Sequence, residues 1–193
     1  MPALRQGGGF VVALRDGVWL AGADGALERM IAPAPYDTSK HRFNDGRCDR
    51  QGRFFAGSMN QNRDANSAAL WRVDADHGVT RVLDGLMISN GLAWSPDGRT
   101  MYLSDSHPSV QRIWAFDLGA GGAPSNRREF VDMNRYPGRP DGAAVDAEGR
   151  DRQIVLAQLY RRQTDDEGRE RGYRHCADQA DDKETALRKR IMV

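Results

Sequence analysis

Short apolar segments alternate with turns rich in aspartate and glycine from the N-terminus to about residue 150. The first of them are GFVVAL, the turn Asp16-Gly17 and VWLAG, and these are followed by a turn at Ala23-Asp24-Gly25. Short apolar runs bounded by such turns are typical of strands joined by hairpins. Helical periodicity is hard to find in the same region. We therefore predict an all-β fold up to about residue 150.

The same plan recurs in residues 43–83 and 89–132. Each unit opens with a strand that carries polar residues and passes through an Asp/Gly turn into an aromatic strand. Two further strands complete the unit, for example ALWRV and VTRVL in the first of the two. Four short antiparallel strands in each unit are typical of the blade of a β-propeller.

Equivalent glycines mark the repeat. Gly46, Gly91 and Gly142 stand 45 and 51 residues apart, and each precedes a turn glycine by six or seven residues. Propeller blades recur at roughly 40–50 residues, so this period fits. The third glycine belongs to PDGAAVDAEGR at 140–150, which begins another unit that is not completed. We predict an incomplete β-propeller.

The composition changes after residue 150. Residues 151–193 are dense in charges of both signs and contain no Asp-Gly turn that would close a hairpin. Residues 154–160 are expected to form a short strand or a helical turn, and the remainder is expected to be irregular or helical. The predicted organisation is a partial propeller over 1–150 and a charged tail over 151–193.

Charge and cysteine content narrow the functional classes. The 28 Lys and Arg and 27 Asp and Glu give a net charge of +1. No global field therefore recruits nucleic acid or a membrane surface. The two cysteines, Cys48 and Cys176, form neither a disulfide framework nor a metal-binding pair, which fits a reducing compartment. The longest early apolar run is interrupted by Arg15 and Asp16, so we predict a cytoplasmic protein without a spanning helix or secretory signal.

Polar residues occupy one corresponding position in three successive repeats. Asn44 or Asp45, then Asn90, then Asp141 each directly precede or flank the repeated glycine. In a propeller the inner strands of all blades converge on one central channel. Three oxygen ligands facing one axis would suit a hard cation such as Ca²⁺, Mg²⁺ or Mn²⁺. The alternative is that each is simply a turn residue.

Arg42 lies two residues before Asn44, so strand alternation places the two side chains on one face and Asp45 on the other. A guanidinium beside an amide suits the hydroxyl and carbonyl oxygens of a polar ligand. The alternative for Arg42 is a salt bridge at the rim. Asp105, on the second strand of its unit, is predicted to be structural. The sequence contains no nucleophile elbow, zincin motif, P-loop or dinucleotide fingerprint.

Three motifs carry a resemblance to a known family. They are RFNDG followed by D..GR.FAG.M at 42–59, SNGLAWSPDGRTMYLSDS at 89–106 and GRPDGAAVDAEG at 138–149. Together they resemble the regucalcin/gluconolactonase (senescence marker protein) family of six-bladed β-propellers. The resemblance covers about residues 8–150.

The resemblance implies roles for individual residues. In the family one divalent cation is held by a glutamate of the first blade and by an Asn and an Asp that match Asn90 and Asp141. Substrate contacts carry over to Arg42 and Asn44. The implied reaction is hydrolysis of a sugar lactone, with Asp141 as general base beside the metal. Ca²⁺, Zn²⁺, Mg²⁺ and Mn²⁺ all stay open as the cofactor.

The sequence departs from the family in two respects. The family's metal-binding glutamate has no match, since Glu28 lies in a strand of the wrong phase, and the blade opened by Asp141 is not continued. We therefore expect a fragment with impaired metal binding and activity.

Two alternative functions stay open. The first is a non-catalytic binding module that self-associates through unpaired strand edges. The second is a related metal-dependent esterase or phosphotriesterase on the same propeller.

Overall fold

Three four-stranded antiparallel sheets make up most of the computed structural model. It describes residues 2–136 and 138–145 in full, and the backbone alone of three strands further along the chain. The first sheet contains β1 (Pro2–Leu4), β2 (Phe10–Ala13), β3 (Gly17–Ala21) and β4 (Leu27–Pro33). The second contains β5 (His41–Cys48), β6 (Phe54–Asn60), β7 (Ala68–Val73) and β8 (Val79–Leu86). The third contains β9 (Ser89–Trp94), β10 (Thr100–Asp105), β11 (Arg112–Leu118) and β12 (Pro124–Asp132).

Each sheet is a simple meander, because neighbours in sequence are neighbours in the sheet. A short 3₁₀ helix, η1 (Met133–Arg135), follows the third sheet and leads to β13 (Ala143–Val145). β13 pairs with β14 (Ile154–Leu156) and thereby begins a fourth sheet. This arrangement confirms the prediction of an incomplete β-propeller. Among the described residues no helix is long and apolar enough to cross a membrane.

The core lies between the sheets, and consecutive side chains on one strand serve different interfaces. On β6, Phe54 packs with Val18 and Ala32 of the first sheet, whereas Phe55 packs with Leu92 and other residues of the third. Strand side chains alternate between the two faces, so a central sheet buries both of them. The continuous burial of β6 follows directly from this position.

The third sheet is covered on both faces in the same way. Met101 and Leu103 of β10 face the second sheet, while Tyr102 between them packs with Ala143 of β13. The ring of Tyr102 also meets Phe130 of β12 edge-on, with ring centroids 5.0 Å apart. β13 therefore covers the apolar face that the third sheet turns away from the second.

The charged tail differs from the expectation. β14 provides the short strand that was one alternative for residues 154–160. β15 (Tyr160–Thr164) and β16 (Glu170–His175) pair with each other as antiparallel strands, so these segments are neither irregular nor helical. Pairing satisfies the backbone groups that the two segments turn towards each other, and tyrosine and threonine favour strands. The other tail residues lie outside the described part of the chain.

Arg47 joins the inner strands of successive sheets. Its Nη1 donates a hydrogen bond to the carbonyl oxygen of Leu92 on β9 at 3.3 Å and to that of Ala143 on β13 at 2.9 Å. The inner edge of a blade offers backbone carbonyls that have no partner strand. One guanidinium therefore fixes the spacing between β5, β9 and β13, although much of its side chain is exposed.

We predict that Arg47→Met destabilises the chain by about 1–2 kcal/mol, the size expected for hydrogen bonds from a charged donor. Urea unfolding followed by circular dichroism measures the loss. Amide hydrogen exchange should also quicken at residues 143–145. Arg50→Met is the matched control, since Arg50 is exposed and no side-chain hydrogen bond links it to another described residue. Equal effects of the two substitutions would contradict a clamping role for Arg47.

Candidate functional site

A cavity of about 480 Å³ opens where the inner strands converge. It is bounded by β5, by β9 and by the segment that leads into β13. The four residues singled out from the sequence, Arg42, Asn44, Asn90 and Asp141, all line it. Residues separated by almost a hundred positions are thus brought to one place, because each stands near the same end of an inner strand.

A chain of amide hydrogen bonds sets the orientation of Asn90. Asn44 Nδ2 donates to Asn90 Oδ1 at 2.9 Å and to the carbonyl oxygen of Ser89 at 2.9 Å. Asn90 Nδ2 in turn donates to Ser106 Oγ at 2.6 Å. The Asn90 carbonyl oxygen has two lone pairs, so it retains capacity for one further partner in the cavity.

Gly91 allows Asp141 to approach β9. Its φ of 58° lies in the left-handed region, and a Cβ there would stand 2.7 Å from the Asp141 carbonyl oxygen and 2.5 Å from Ser104 Oγ. Any larger residue would push these groups apart. The glycine of the Asn90-Gly91 pair therefore permits a close backbone approach at this position.

Asp45 differs from the strand-alternation prediction. The pairing of β5 with β6 shifts between Phe43 and Gly46, so Asn44 and Asp45 together stand opposite Gly57. Such a bulge turns both side chains towards the neighbouring sheet. Asp45 lines the cavity, is only 6% exposed, and accepts hydrogen bonds from the backbone of Gly46 at 2.9 Å and of Leu92 at 3.3 Å.

Two carboxyl groups therefore share the cavity. Burial raises the pKa of Asp45, and hydrogen bonds from the backbone N–H groups of Leu92, Gly46 and Gly91 partly offset this rise. Burial also raises the pKa of Asp141, and the negative charge of Asp45 raises it further. The charge of Asp45 thus makes ionisation of Asp141 less favourable.

Basic side chains surround the cavity mouth. Arg42, Arg63 and Arg139 line it, with Arg63 on the loop after β6 and Arg139 just before Asp141. Burial lowers the pKa of Arg42, and the positive charges of Arg15 and Arg63 lower it further. Arg139 acts on Asp141 in the opposite sense, since its charge lowers the pKa of that carboxyl group.

The structure also tests the sequence predictions for Arg42 and Asp105. Arg42 donates to the carbonyl oxygen of Phe43 at 3.0 Å, and no ion pair of Arg42 occurs among the described residues, so the rim salt bridge is not observed. Asp105 is 1% exposed and accepts from the backbone of Met87 at 2.9 Å and Ile88 at 3.1 Å. Asp105 therefore holds the turn before β9, as predicted for a structural residue.

The donor set suits a hard cation. Asn90 contributes an amide oxygen, and Asp141 and Asp45 contribute carboxylates that repel one another, a repulsion that a cation between them would relieve. Within the described residues, no group of three or more His, Cys, Asp and Glu side chains could hold a metal ion. Glu28, which the sequence analysis rejected as a metal ligand, forms an ion pair with Arg5 at 2.8 Å.

The sequence offered Asp45 only as an alternative to Asn44, and it assigned no role to Ser106 or Arg63. Both Asn44 and Asp45 reach the cavity because of a bulge that hydrophobic alternation cannot indicate. Ser106 is the last residue of the motif SNGLAWSPDGRTMYLSDS, but no role was predicted for it. Arg63 belongs to no motif, and only its position just after β6 could have suggested it.

Comparison with known proteins agrees with this geometry. The chain matches the family described as SMP-30/Gluconolactonase/LRE-like region over residues 1–158. The 6-deoxy-6-sulfogluconolactonase of Pseudomonas putida is 44% identical over 147 residues, which are 76% of this chain and 50% of that protein. Regucalcin of Danio rerio is 40% identical over 149 residues, again 76% of this chain and 50% of that protein.

The solved structure of regucalcin from Agrobacterium tumefaciens, a calcium-binding protein, superimposes with a TM-score of 0.70 at 27% identity. The match covers 89% of this chain and 58% of that one. The chain spans about half the length of the curated relatives it matches. The repeated blades, the converging polar residues and the match over residues 1–158 lead to one conclusion: the chain belongs to the SMP-30/gluconolactonase/LRE-like family.

Proposed function

We propose that this cavity hydrolyses a sugar lactone with the help of one divalent cation. The observation that carries the proposal is the convergence of Asn90 and Asp141 with Arg42 and Asn44 in one cavity of a gluconolactonase-like fold. Oxygen donors thus stand beside groups that can orient a polyhydroxylated ring. The name of the Pseudomonas putida relative, a lactonase, supports the same reaction class.

Asn90 and Asp141 are the residues we propose for holding the cation, with Asp45 as a second carboxylate close by. A bound divalent cation would polarise the lactone carbonyl and lower the pKa of water. Regucalcin of Agrobacterium tumefaciens is named as calcium-binding, which supports a hard cation. Ca²⁺ fits the donor chemistry best, because all the donors are oxygens and two of them are carboxylates.

Asp141 is the proposed general base. It lines the cavity beside Asn90, within the donor set proposed for the cation, so a water held there would lie next to its carboxylate. It takes a proton from the attacking water as the new C–O bond forms at the carbonyl carbon. The ring C–O bond then breaks and the leaving oxygen receives that proton, so the product is a hydroxy acid.

Arg42 and Asn44 are proposed to position the substrate. Asn44 Nδ2 is already committed to Ser89 and Asn90, so its carbonyl oxygen is the group left to accept from a sugar hydroxyl. The Arg42 guanidinium keeps several N–H groups beyond the one bonded to Phe43. Fixed donors and acceptors of this kind lower the entropic part of the barrier.

We further propose that turnover is slow. Among the described residues only Asp45 and Asp141 bring carboxylates to the cavity, and Ca²⁺ sites take six to eight oxygens, so waters would supply the rest.

The reducing cytoplasm stays the predicted compartment, and a boundary near residue 150 stays a prediction that the change in composition supports.

The first test is hydrolysis of glucono-1,5-lactone by the purified chain, followed by acid release at constant pH. Activity should rise with added Ca²⁺ and reach half its maximum at roughly millimolar concentration, as in weak sites. EDTA should reduce it to the uncatalysed rate. Asp141→Ala should behave like the EDTA-treated chain. Hydrolysis that is insensitive to EDTA would contradict the metal-dependent proposal.

Asp141→Asn should raise the melting temperature at pH 7 when metal is removed. The folded-state pKa of Asp141 lies above its unfolded value, so ionisation opposes folding at high pH, and this cost vanishes below the unfolded pKa. The advantage of the variant should therefore disappear as the pH falls towards 4 or below. Calorimetry with EDTA measures both values.

Added Ca²⁺ should then reverse the order, because it stabilises only a chain that binds it. Asp117→Asn is the control, since Asp117 is paired with Arg128 at 2.7 Å away from the cavity. Parallel calcium responses in Asp141→Asn and wild type would exclude Asp141 as a ligand.

Assembly through strand edges is the second candidate. β1 is an edge strand of the first sheet. Its edge that faces away from β2 pairs with no other described strand, and Leu4 on β1 is 83% exposed. Unpaired edges with exposed apolar side chains promote association. Sedimentation velocity should then show a concentration-dependent dimer that Leu4→Lys weakens. A monomer at every concentration would exclude this candidate.

A further inference from the structure

Two arginines that line the cavity, Arg42 and Arg63, are positively charged. Arg42 and Arg63 line the same cavity and repel each other, and Arg15 adds to the repulsion at Arg42. Within the described part of the chain neither Arg42 nor Arg63 forms an ion pair. Elsewhere arginines are paired closely, for example Arg53 with Asp49 at 2.6 Å.

The acidic residues near these arginines are engaged by other groups. Asp64, next in sequence to Arg63, accepts from Asn60 Nδ2 at 2.8 Å. Asp45 accepts hydrogen bonds from backbone N–H groups, and Asp141 shares the cavity with a third arginine, Arg139. The excess positive charge at Arg42 and Arg63 is therefore not an arrangement that folding alone would favour.

The excess grows when the proposed site is filled. A divalent cation held by Asp141 would neutralise the negative charge that faces the arginines. A lactone without charge would then leave the cavity strongly positive and partly shielded from water, where like charges repel more than in bulk solvent. A negatively charged ligand removes this cost.

We propose that Arg42 and Arg63 bind an anionic substituent of the lactone, a sulfonate, phosphate or carboxylate remote from the ester group. The inference rests on the proposed lactone hydrolysis and names the substrate class of that site. Guanidinium groups suit these anions because their planar forks match two oxygens at once. Arg63 is the residue that sets the preference, since Arg42 also faces the ring.

The backbone holds Arg63 in place. Its φ is 58°, and its N–H donates to the carbonyl oxygen of Asn60 at 3.2 Å. The Asn60 side chain braces the same loop through Asn62 and Asp64. The side chain of Arg63 is exposed and free of hydrogen bonds to other described residues, so it is available to a ligand at the mouth.

Calorimetric titration without metal tests the subsite independently of turnover. The probes are gluconate and 6-phosphogluconate, which differ only in the terminal phosphate. The second should bind about tenfold more tightly, as expected when two guanidinium groups, one half-buried and one exposed, form charge-assisted hydrogen bonds with a phosphate. Arg63→Gln should remove most of this ratio, and Arg63→Lys should keep more of it.

Arg29→Gln is the matched control, because it removes the same charge from an exposed position on β4. Circular dichroism and melting temperature confirm that each variant is folded. Glucarate in place of 6-phosphogluconate distinguishes a carboxylate from a phosphate preference, and a gain with either anion supports the proposal. Equal binding of inorganic phosphate and 6-phosphogluconate would overturn it, since the sugar would then not be recognised.

Lactone hydrolysis separates this inference from the function on which it rests. Preferential binding of 6-phosphogluconate without hydrolysis of any lactone would retain the anionic subsite and remove the lactonase. Hydrolysis of glucono-1,5-lactone and its 6-phosphate with equal kcat/KM, unchanged by Arg63→Gln, would retain the lactonase and overturn the subsite. A chain that binds neither acid overturns the inference as well.

Discussion

The structure depends on one constraint, which is that inner strands of neighbouring blades do not share a sheet. Their facing backbone groups must find side-chain partners, because unpaired polar groups near the core are costly. Leu92 shows the solution: its N–H is held by Asp45 and its carbonyl oxygen by Arg47, two residues further along β5. The same two strands carry Asn44 and Asn90. The contacts that join the blades therefore also place the polar residues of the cavity.

Charge balance in this region favours ligand binding over stability. The charge of Asp45 raises the pKa of Asp141, and Arg42 and Arg63 repel each other nearby. Each pair opposes folding when its groups are charged and the cavity holds only water. Groups kept in such an arrangement are typical of functional sites, because a ligand of opposite charge recovers the energy on binding.

The sequence predicted most strands of the three sheets and four of the cavity residues, because both follow from local chemistry. Turn glycines and aspartates mark most of the hairpins, although the connection between β10 and β11 at 106–111 contains neither, and the repeated Asn-Gly and Asp-Gly pairs mark the inner strands β5 and β9 and the approach to β13. Asp45 was placed on the wrong face because a bulge depends on the partner strand and changes alternation locally. Arg63 gave no signal in the sequence, because it belongs to no motif and lines the cavity only through the path of the loop after β6. The strands β15 and β16 were missed, since their pairing outweighs a charged composition.

The two proposed binding positions are coupled by electrostatics. A cation at Asn90 and Asp141 increases the positive field at Arg42 and Arg63, so it should strengthen binding of an anionic substituent. By thermodynamic reciprocity the anionic ligand then strengthens binding of the cation by the same factor. A site with few carboxylates should thus reach a given metal occupancy at a lower cation concentration when an anionic substrate is present. In that case the charge of the substrate contributes to the affinity of the metal site.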